Sequence, residues 1–218
     1  GKNVVIKDSV FENNYADYAG AAIYVCSIFN DSGKYPEEGE NLIIKNCNFT
    51  NNFAQVAAGA IGVYGNNTKV IGCNFVSNKV KPTSNHEAYG GAIQIGRDEY
   101  NLCSYVVNCS FINNGAIGRN LNNSHGGAGC VRAGIIYQNC KFINNSAGQG
   151  GALTYHASGS IEDCVFINNS AKLYGGALST GYIDGDMELI VVNCNFEQNN
   201  APYGGAVQLL SLIHISEP

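Results

Sequence analysis

A phenylalanine followed three residues later by an asparagine, F-x-x-N, occurs seven times along the 218 residues, and this spacing never changes. Two residues before the phenylalanine stands a cysteine in six copies and Ser9 in the first. After the asparagine comes a box of small residues, which reads GGA in five copies, GAA at Gly20 and AGA at Ala58. Repetition of this kind indicates an array of stacked units, each packed against its neighbours.

Stacked units place equivalent residues on top of one another, so the sequence predicts three internal ladders. The predicted phenylalanine ladder comprises Phe11, Phe49, Phe75, Phe111, Phe142, Phe166 and Phe196. The predicted asparagine ladder comprises Asn14, Asn52, Asn78, Asn114, Asn145, Asn169 and Asn199. The predicted cysteine ladder comprises Cys47, Cys73, Cys109, Cys140, Cys164 and Cys194. Successive phenylalanines are 38, 26, 36, 31, 24 and 30 positions apart, so the longer units carry insertions.

The residues around each phenylalanine alternate as they do in a β-strand. An apolar residue stands five positions before the phenylalanine and the cysteine two before it, with a residue between that is usually polar, as at Asn48 and Asn74. The apolar position and the cysteine are three apart, so one uninterrupted strand cannot bury both. The gap holds Asp, Asn or Gly in every copy, and these residue types tolerate a left-handed bend. A third alternating segment follows the small-residue box, as at Ile93 and Ile95.

Three short strands per unit, joined by bends and repeated in register, predict an all-β fold. The expected architecture is a right-handed, single-stranded parallel β-helix of about seven rungs. Parallel strands lie about 4.8 Å apart, which gives a rod roughly 30 to 35 Å long. In such a rod the phenylalanines fill the interior, the cysteines act as small buried hydrophobes, and the asparagine amides link one rung to the next.

The combination of F-x-x-N with GGA followed by Ile, Leu or Val resembles the repeats of the polymorphic outer-membrane proteins, whose passenger domains are surface adhesins. It is also similar to the repeats of large adhesin-like β-helix proteins of gut archaea. The likeness covers Val4 to Leu209, with departures at the first two boxes and at Gly129, where a branched residue is expected. The resemblance implies an extracellular, non-catalytic stalk or passenger used for cell-surface attachment or display. Its implied partners are glycans or proteins on host or neighbouring cells.

The composition argues against two other classes of protein. Charged residues make up only 13% of the chain and the net charge is −5, so the basic stripe that nucleic acids require is missing. Six of the nine cysteines occupy one repeated position, which indicates packing rather than a disulfide framework. The others, Cys26, Cys103 and Cys130, lack the paired C-x-x-C spacing of a zinc site. No cofactor is predicted.

The two ends of the sequence look different from the repeats. The chain begins directly with a strand-like run and has no apolar stretch of about eighteen residues, which leads us to expect a piece of a longer extracellular protein, truncated at both ends. Residues 210–218, LSLIHISEP, show no repeat pattern and resemble a translated sequencing adapter. We therefore predict one β-helix domain over residues 1–209, followed by a non-native tail.

Variable function is expected in the insertions, which fall at two positions in the unit. Between F-x-x-N and the box, two consecutive units carry basic and aromatic residues, and these loops are predicted to lie side by side. A sugar or an anionic ligand is expected to bind there, with Tyr89 as a stacking platform. The candidate binding residues are Lys79, Lys81, His86, Tyr89, Arg119 and His125.

The other insertions, which follow the third strand, are acidic. Asp184 and Asp186 flank Gly185 and offer a weak candidate for a calcium loop, because calcium prefers several carboxylate and carbonyl oxygens. A solvated loop explains the same residues, so no metal site is assigned.

The main alternative function is a carbohydrate-active enzyme, a polysaccharide lyase or glycosidase with its active site on turns outside this sequence. Such sites need carboxylates, or a base and an acid, clustered on one face of neighbouring rungs. Asp163 occupies a bend position and reads as structural, and His156 has no evident acidic partner. The sequence predicts no catalytic residue.

Overall fold

The computed structural model describes residues 3–25, 41–64, 67–83, 86–96, 104–181 and 188–209. Within these ranges the chain forms four parallel β-sheets and a short 3-10 helix, Leu121–Asn123. The first six repeats contribute strands to all four sheets, and the seventh contributes strands to three and joins the fourth through isolated bridges at Asn200 and Tyr203. One repeat therefore makes one turn of a coil. The predicted all-β parallel β-helix of about seven rungs is confirmed, and the rungs are numbered 1 to 7 in chain order.

The four sheets are named A to D in the order in which each rung passes through them. Sheet A contains Val4–Lys7, Leu42–Lys45, Thr68–Ile71, Ser104–Val107, Ile135–Gln138, Gly159–Glu162 and Leu189–Val192. Sheet B contains Val10–Glu12, Asn48–Thr50, Asn74–Val76, Ser110–Ile112, Lys141–Ile143, Val165–Ile167 and Asn195–Glu197. Sheet C contains Tyr15–Ala16, Phe53–Ala54, Lys79–Val80, Ala88–Tyr89, Gly115–Ala116, Ser124–His125, Ser146–Gln149 and Ser170–Tyr174. Sheet D contains Ile23–Val25, Ile61–Val63, Ile93–Ile95, Gly129–Val131, Leu153–Tyr155, Leu178–Thr180 and Val207–Gln208.

Sheet C is an addition to the three strands per rung expected from the sequence. Several of its strands are only two residues long, such as Tyr15–Ala16 and Phe53–Ala54. Two residues cannot display an alternating pattern, which is why the sequence alone did not reveal this sheet.

The phenylalanine ladder is continuous through all seven rungs. Equivalent phenylalanines are paired in register across sheet B, and consecutive rings stack with centroids 4.7 to 5.0 Å apart and planes within 7° of parallel. The five rings of rungs 2 to 6 are fully buried. The predicted single file of aromatic rings is therefore confirmed.

The asparagine ladder is equally regular. The Oδ1 atom of Asn78 accepts one hydrogen bond from the backbone N–H of Asn52, at 3.0 Å, and another from the Nδ2 atom of Asn52, at 2.9 Å. The Nδ2 atom of Asn52 also donates to the carbonyl oxygen of Phe11, at 3.0 Å. The same pattern recurs up to Asn199, so side-chain amides connect every rung to the next.

The cysteine ladder fills the interior beside the phenylalanines. Its first five members are buried and Cys194, on rung 7, is partly exposed. None of the seven cysteines within the described residues, Cys130 included, forms a disulfide bond. Cys26 and Cys103 lie outside the described residues. In the part of the chain that the structure covers, the ladder cysteines thus serve as small packing residues.

The bends between sheets are formed by residues with a left-handed backbone conformation, which stand at the same position in successive rungs and so form columns. Between sheets A and B every rung has a residue with φ between 50° and 63°: Asp8, Asn46, Gly72, Asn108, Asn139, Asp163 and Asn193. The predicted bend is therefore confirmed, including the structural role of Asp163. The first position of each small-residue box forms a second such column, with φ of 54° to 64° from Gly20 to Gly204.

The second glycine of the box is required by close contact between rungs. A Cβ atom on Gly151 would lie 2.0 Å from the carbonyl oxygen of Gly176 on the next rung, where no side chain fits. The box thus combines a glycine that allows the turn with a glycine that allows the rungs to approach.

The irregular rung 4 is compensated by its neighbour. Gly129 stands where other rungs have a branched residue, and a Cβ atom there would lie 2.7 Å from the hydroxyl oxygen of Tyr137. Tyr137, on rung 5, occupies a position that is Ile or Val in the other rungs, and it is fully buried. The large tyrosine therefore fills the volume that Gly129 leaves open.

Candidate ligand-contact face

Two insertions open from the middle of sheet C on adjacent rungs. On rung 3 the chain leaves the sheet after Val80 and returns at Ala88, and on rung 4 it leaves after Ala116 and returns at Ser124. The returning strands pair with each other, Ala88 with Ser124 and Tyr89 with His125. The register of the rungs is therefore maintained on both sides of each insertion.

The pairing of the returning strands brings two of the six candidate binding residues into contact. The rings of Tyr89 and His125 stack with centroids 5.3 Å apart and an angle of 15° between their planes. The other four, Lys79, Lys81, His86 and Arg119, have exposed side chains. They present three positive charges and an imidazole to solvent on the same two rungs.

Two residues that the sequence analysis did not assign to this site complete the contact around the ring pair. The Arg132 guanidinium carbon lies over the Tyr89 ring, 5.0 Å from its centroid. The His156 ring meets the His125 ring edge to face, with centroids 5.1 Å apart. We call Tyr89, His125, Arg132 and His156 the ring cluster. It spans rungs 3, 4 and 5 and combines aromatic faces with a permanent cation.

A signal for the missing residues was present in the sequence. Arg132 and His156 each follow directly after the sheet D strand of their rung, as Tyr64 does on rung 2. Equivalent positions of successive rungs form a column, so Arg132 and His156 are neighbours. The sequence does not show, however, that the column of Arg132 and His156 lies beside the column of Tyr89 and His125. Only the structure shows that contact.

Burial determines the protonation state of His125 in the ring cluster. His125 is only 8% exposed, and its Nδ1 atom has no hydrogen-bond partner among the residues that the structure describes. Burial, together with the charges of His156 and Arg132, lowers the pKa of His125 to about 3. The His125 imidazole is therefore neutral at physiological pH, and it contributes an apolar face rather than a charge.

The insertion of rung 4 folds onto rung 5. The Nε2 atom of Gln149 donates to the carbonyl oxygen of Asn122, at 2.7 Å. A Cβ atom on Gly148 would lie 2.0 Å from the carbonyl oxygen of Leu121, so the loop can pack this closely only because Gly148 has no side chain. The loop is thus fixed against the next rung of the rod.

Metal and catalytic candidates receive no support from the geometry of the described residues. Asp184 and Asp186, the weak calcium candidates, lie outside those residues. Among the residues that the structure covers, no three His, Cys, Asp or Glu side chains are grouped so as to hold a metal ion. Asp163 accepts a hydrogen bond from the Nδ2 atom of Asn193, at 3.3 Å, as a member of its bend column. The helical residues of the described ranges form no segment long and apolar enough to cross a bilayer.

Comparison with protein families identifies the repeat. Residues 8–26 and 163–181 match the model of the Chlamydia polymorphic membrane protein (Chlamydia_PMP) repeat. Two of the seven repeats therefore match the polymorphic membrane protein repeat. Each matched segment runs from the left-handed residue before sheet B, Asp8 or Asp163, to the end of the sheet D strand or just beyond it. The polymorphic membrane protein repeat thus corresponds to the part of a rung that contains sheets B, C and D.

The two matched copies share a spacing. In rungs 1 and 6 the box glycine, Gly20 or Gly175, follows the F-x-x-N asparagine by six positions, and no insertion intervenes. The resemblance inferred from F-x-x-N and GGA is therefore confirmed at the level of the repeat. Neither the curated proteins nor the solved structures include a match to the chain.

Proposed function

We propose that the chain is a segment of a surface-exposed, adhesin-like rod that attaches to or displays contact sites for other cells, and that it has no catalytic role. The polymorphic membrane protein repeat supports a location at the cell surface, because its family consists of surface-exposed, adhesin-like proteins. The observation that carries the proposal is the unbroken register of sheet B over seven rungs despite insertions elsewhere. In such a protein the rigid rungs set the distance between contact sites, and the variable loops make the contacts.

The proposed contact face consists of the exposed residues Lys79, Lys81, His86 and Arg119 together with the ring cluster. Cationic side chains beside aromatic faces suit anionic or carbohydrate groups on a neighbouring cell. The chain as a whole has a net charge of −5, so this cationic face is a local exception.

Attachment is tested by coupling the protein to fluorescent beads and counting beads retained on a panel of cultured cells. A variant with Lys79, Lys81, His86 and Arg119 changed to Ser should lose most of the retention. A matched control changes Lys45, Lys69 and Lys141, exposed lysines on sheets A and B, to Ser and should retain it. Equal retention by both variants would reject this contact face.

A carbohydrate-active enzyme is the competing function. Incubating the protein with acidic and neutral glycans, and scoring both retention and product release, separates the two. Release of shortened glycan by the purified protein would overturn the non-catalytic assignment.

A further inference from the structure

A preformed groove lies next to the rung 4 loop, on the outside of sheet C. It has a volume of about 170 Å³. Ala116, Ile117, Leu121 and Ala147 provide its apolar walls, and Ser146, Ser170 and Lys172 provide its polar groups. It extends over rungs 4, 5 and 6 and is separate from the ring cluster.

The loop that forms one wall is held by its own hydrogen bonds. The Oδ1 atom of Asn120 accepts from the backbone N–H of Asn122, at 3.0 Å. The Ser124 hydroxyl accepts from the backbone N–H of Gly118, at 2.7 Å, and donates to the carbonyl oxygen of Asn120, at 3.3 Å. Together with the contact between Gln149 and Asn122, these bonds order the wall, which reduces the entropy cost of binding.

The charge around the groove favours an anion. Lys172 lines it, and Arg119 is exposed in the loop that forms its wall. No Asp or Glu is among the residues that line the groove. Within the described part of the chain, the Lys172 ammonium has neither an ion pair nor a hydrogen bond. A carboxylate at this end of the groove would supply the missing partner.

The polar groups of the groove favour a sugar over a peptide. The backbone N–H groups of Ser146 and Ser170 already donate to the carbonyl oxygens of Asn114 and Asn145, so an extended peptide cannot add to the sheet here. The hydroxyls of Ser146 and Ser170 make no hydrogen bond within the described residues. They are available to the hydroxyl and amide groups of a ligand.

We propose that this groove binds a sugar that carries both an N-acetyl group and a carboxylate. The methyl of the N-acetyl group packs against Ala116, Leu121 and Ala147, and the carboxylate pairs with Lys172. At about 170 Å³ the groove is smaller than the 300 Å³ or more of typical drug-sized pockets, so it encloses only part of such a sugar. This binding does not require the rod to act in attachment.

The test is an NMR titration of the purified protein with the methyl α-glycoside of N-acetylneuraminic acid. We expect saturable binding with a Kd on the order of 1 mM. Lys172→Gln should weaken binding at least tenfold, and Leu121→Ser should also weaken it, because Leu121 is an exposed wall residue. The control Lys141→Gln, at an exposed lysine of sheet B, should leave the affinity unchanged.

Two further sugars separate the two halves of the site. N-Acetylglucosamine, which lacks the carboxylate, should bind more weakly and be insensitive to Lys172→Gln. Glucuronic acid, which lacks the N-acetyl group, should be insensitive to Leu121→Ser. Absence of saturable binding, or equal affinities for wild type, Lys172→Gln and Leu121→Ser, would overturn the proposal. Tighter binding of N-acetyl-leucine than of the sugar acid would assign the groove to a peptide instead. Bead retention is measured separately, so failure of one proposal leaves the other intact.

Discussion

The side-chain oxygen of Asn145 accepts two hydrogen bonds from Asn114, one from the backbone N–H at 3.0 Å and one from Nδ2 at 3.1 Å. Asn145 in turn donates from its own Nδ2 atom to the carbonyl oxygen of Phe111, at 2.9 Å. Because Asn114 and Asn145 are buried, these groups have no access to water as an alternative partner.

Asn145→Ala should therefore destabilise the rod more than a typical substitution. It leaves two donors of Asn114 buried without partners and removes one hydrogen bond to the carbonyl oxygen of Phe111, and each unpartnered group costs about 1 to 3 kcal/mol. We expect a loss of about 3 to 5 kcal/mol in the free energy of unfolding, measured by urea denaturation. Asn74→Ala removes an exposed amide that bonds Asn48 and Ser110, and it should cost less than about 1 kcal/mol. Equal losses for the two variants would contradict the ladder.

Phe142→Ala tests the aromatic ladder. The Phe142 ring lies between those of Phe111 and Phe166, at 5.0 and 4.7 Å, and it is fully buried. Its truncation should cost about 3 to 5 kcal/mol, measured by the same denaturation. The same change at Phe196, which is only partly buried on rung 7, should cost clearly less. Unchanged stability of Phe142→Ala would show that the ring is not internal.

The left-handed residues between sheets A and B should tolerate substitutions in an unusual order of stability. Asn139 has a φ of 50°, which Gly adopts freely and a β-branched residue does not. Asn139→Gly should change stability by less than about 1 kcal/mol, although it loses the exposed hydrogen bond to Asn108. Asn139→Val should cost about 2 kcal/mol or more. Greater tolerance of Val than of Gly in thermal melts would contradict the left-handed backbone at this position.

His125 predicts a loss of stability on acidification. Its pKa in the folded protein, about 3, is below its value of 6.5 in the unfolded chain, so the unfolded chain binds a proton first. The stabilisation by neutral His125 is complete above pH 6.5 and decreases as the pH falls from 6.5 towards 3, by about 1.4 kcal/mol per pH unit where the slope is steepest. His125→Gln should flatten this part of the stability profile, measured by urea denaturation between pH 4 and 7. The same change at the exposed His86 is the control and should leave the profile in place.

The thiols give a chemical test of the interior. In denatured, unreduced protein at least the seven described cysteines should titrate as free thiols. In the native protein Cys194 should react before Cys47, Cys73 and Cys164, because only Cys194 is partly exposed. A titration that finds fewer than seven thiols would indicate disulfides in the ladder.

The sequence predicted the parts of the rod that repeat. Phe75, Asn78 and Cys73 could each be assigned to a ladder, since equivalent residues recur on every rung and their packing follows from the coil. The course of the rung 4 loop could not be predicted in this way. The loop packs against Gly148, a residue of another rung, which leaves room for it because it has no side chain. The sequence of the loop itself contains no information about that residue.

Two of the four ring-cluster residues were not among the candidate binding residues from the sequence, again because their position depends on contacts between different parts of the coil. Tyr89 and His125 lie in the insertions where functional residues were sought, whereas Arg132 and His156 follow strands that looked purely structural. Their contact with the Tyr89 and His125 rings arises from the meeting of two columns. A pattern along the chain describes each column and does not describe the distance between columns.

The division of sheet C into two short strands on rungs 3 and 4 has a consequence for how such proteins diversify. Lys79–Val80 and Ala88–Tyr89 each pair with the neighbouring rungs on their own, so the residues between them are not needed to hold the coil together. This arrangement permits loops to be exchanged, lengthened or replaced by foreign epitopes, while the spacing of the scaffold stays the same. A protein with this arrangement can therefore gain new surfaces without a change of fold.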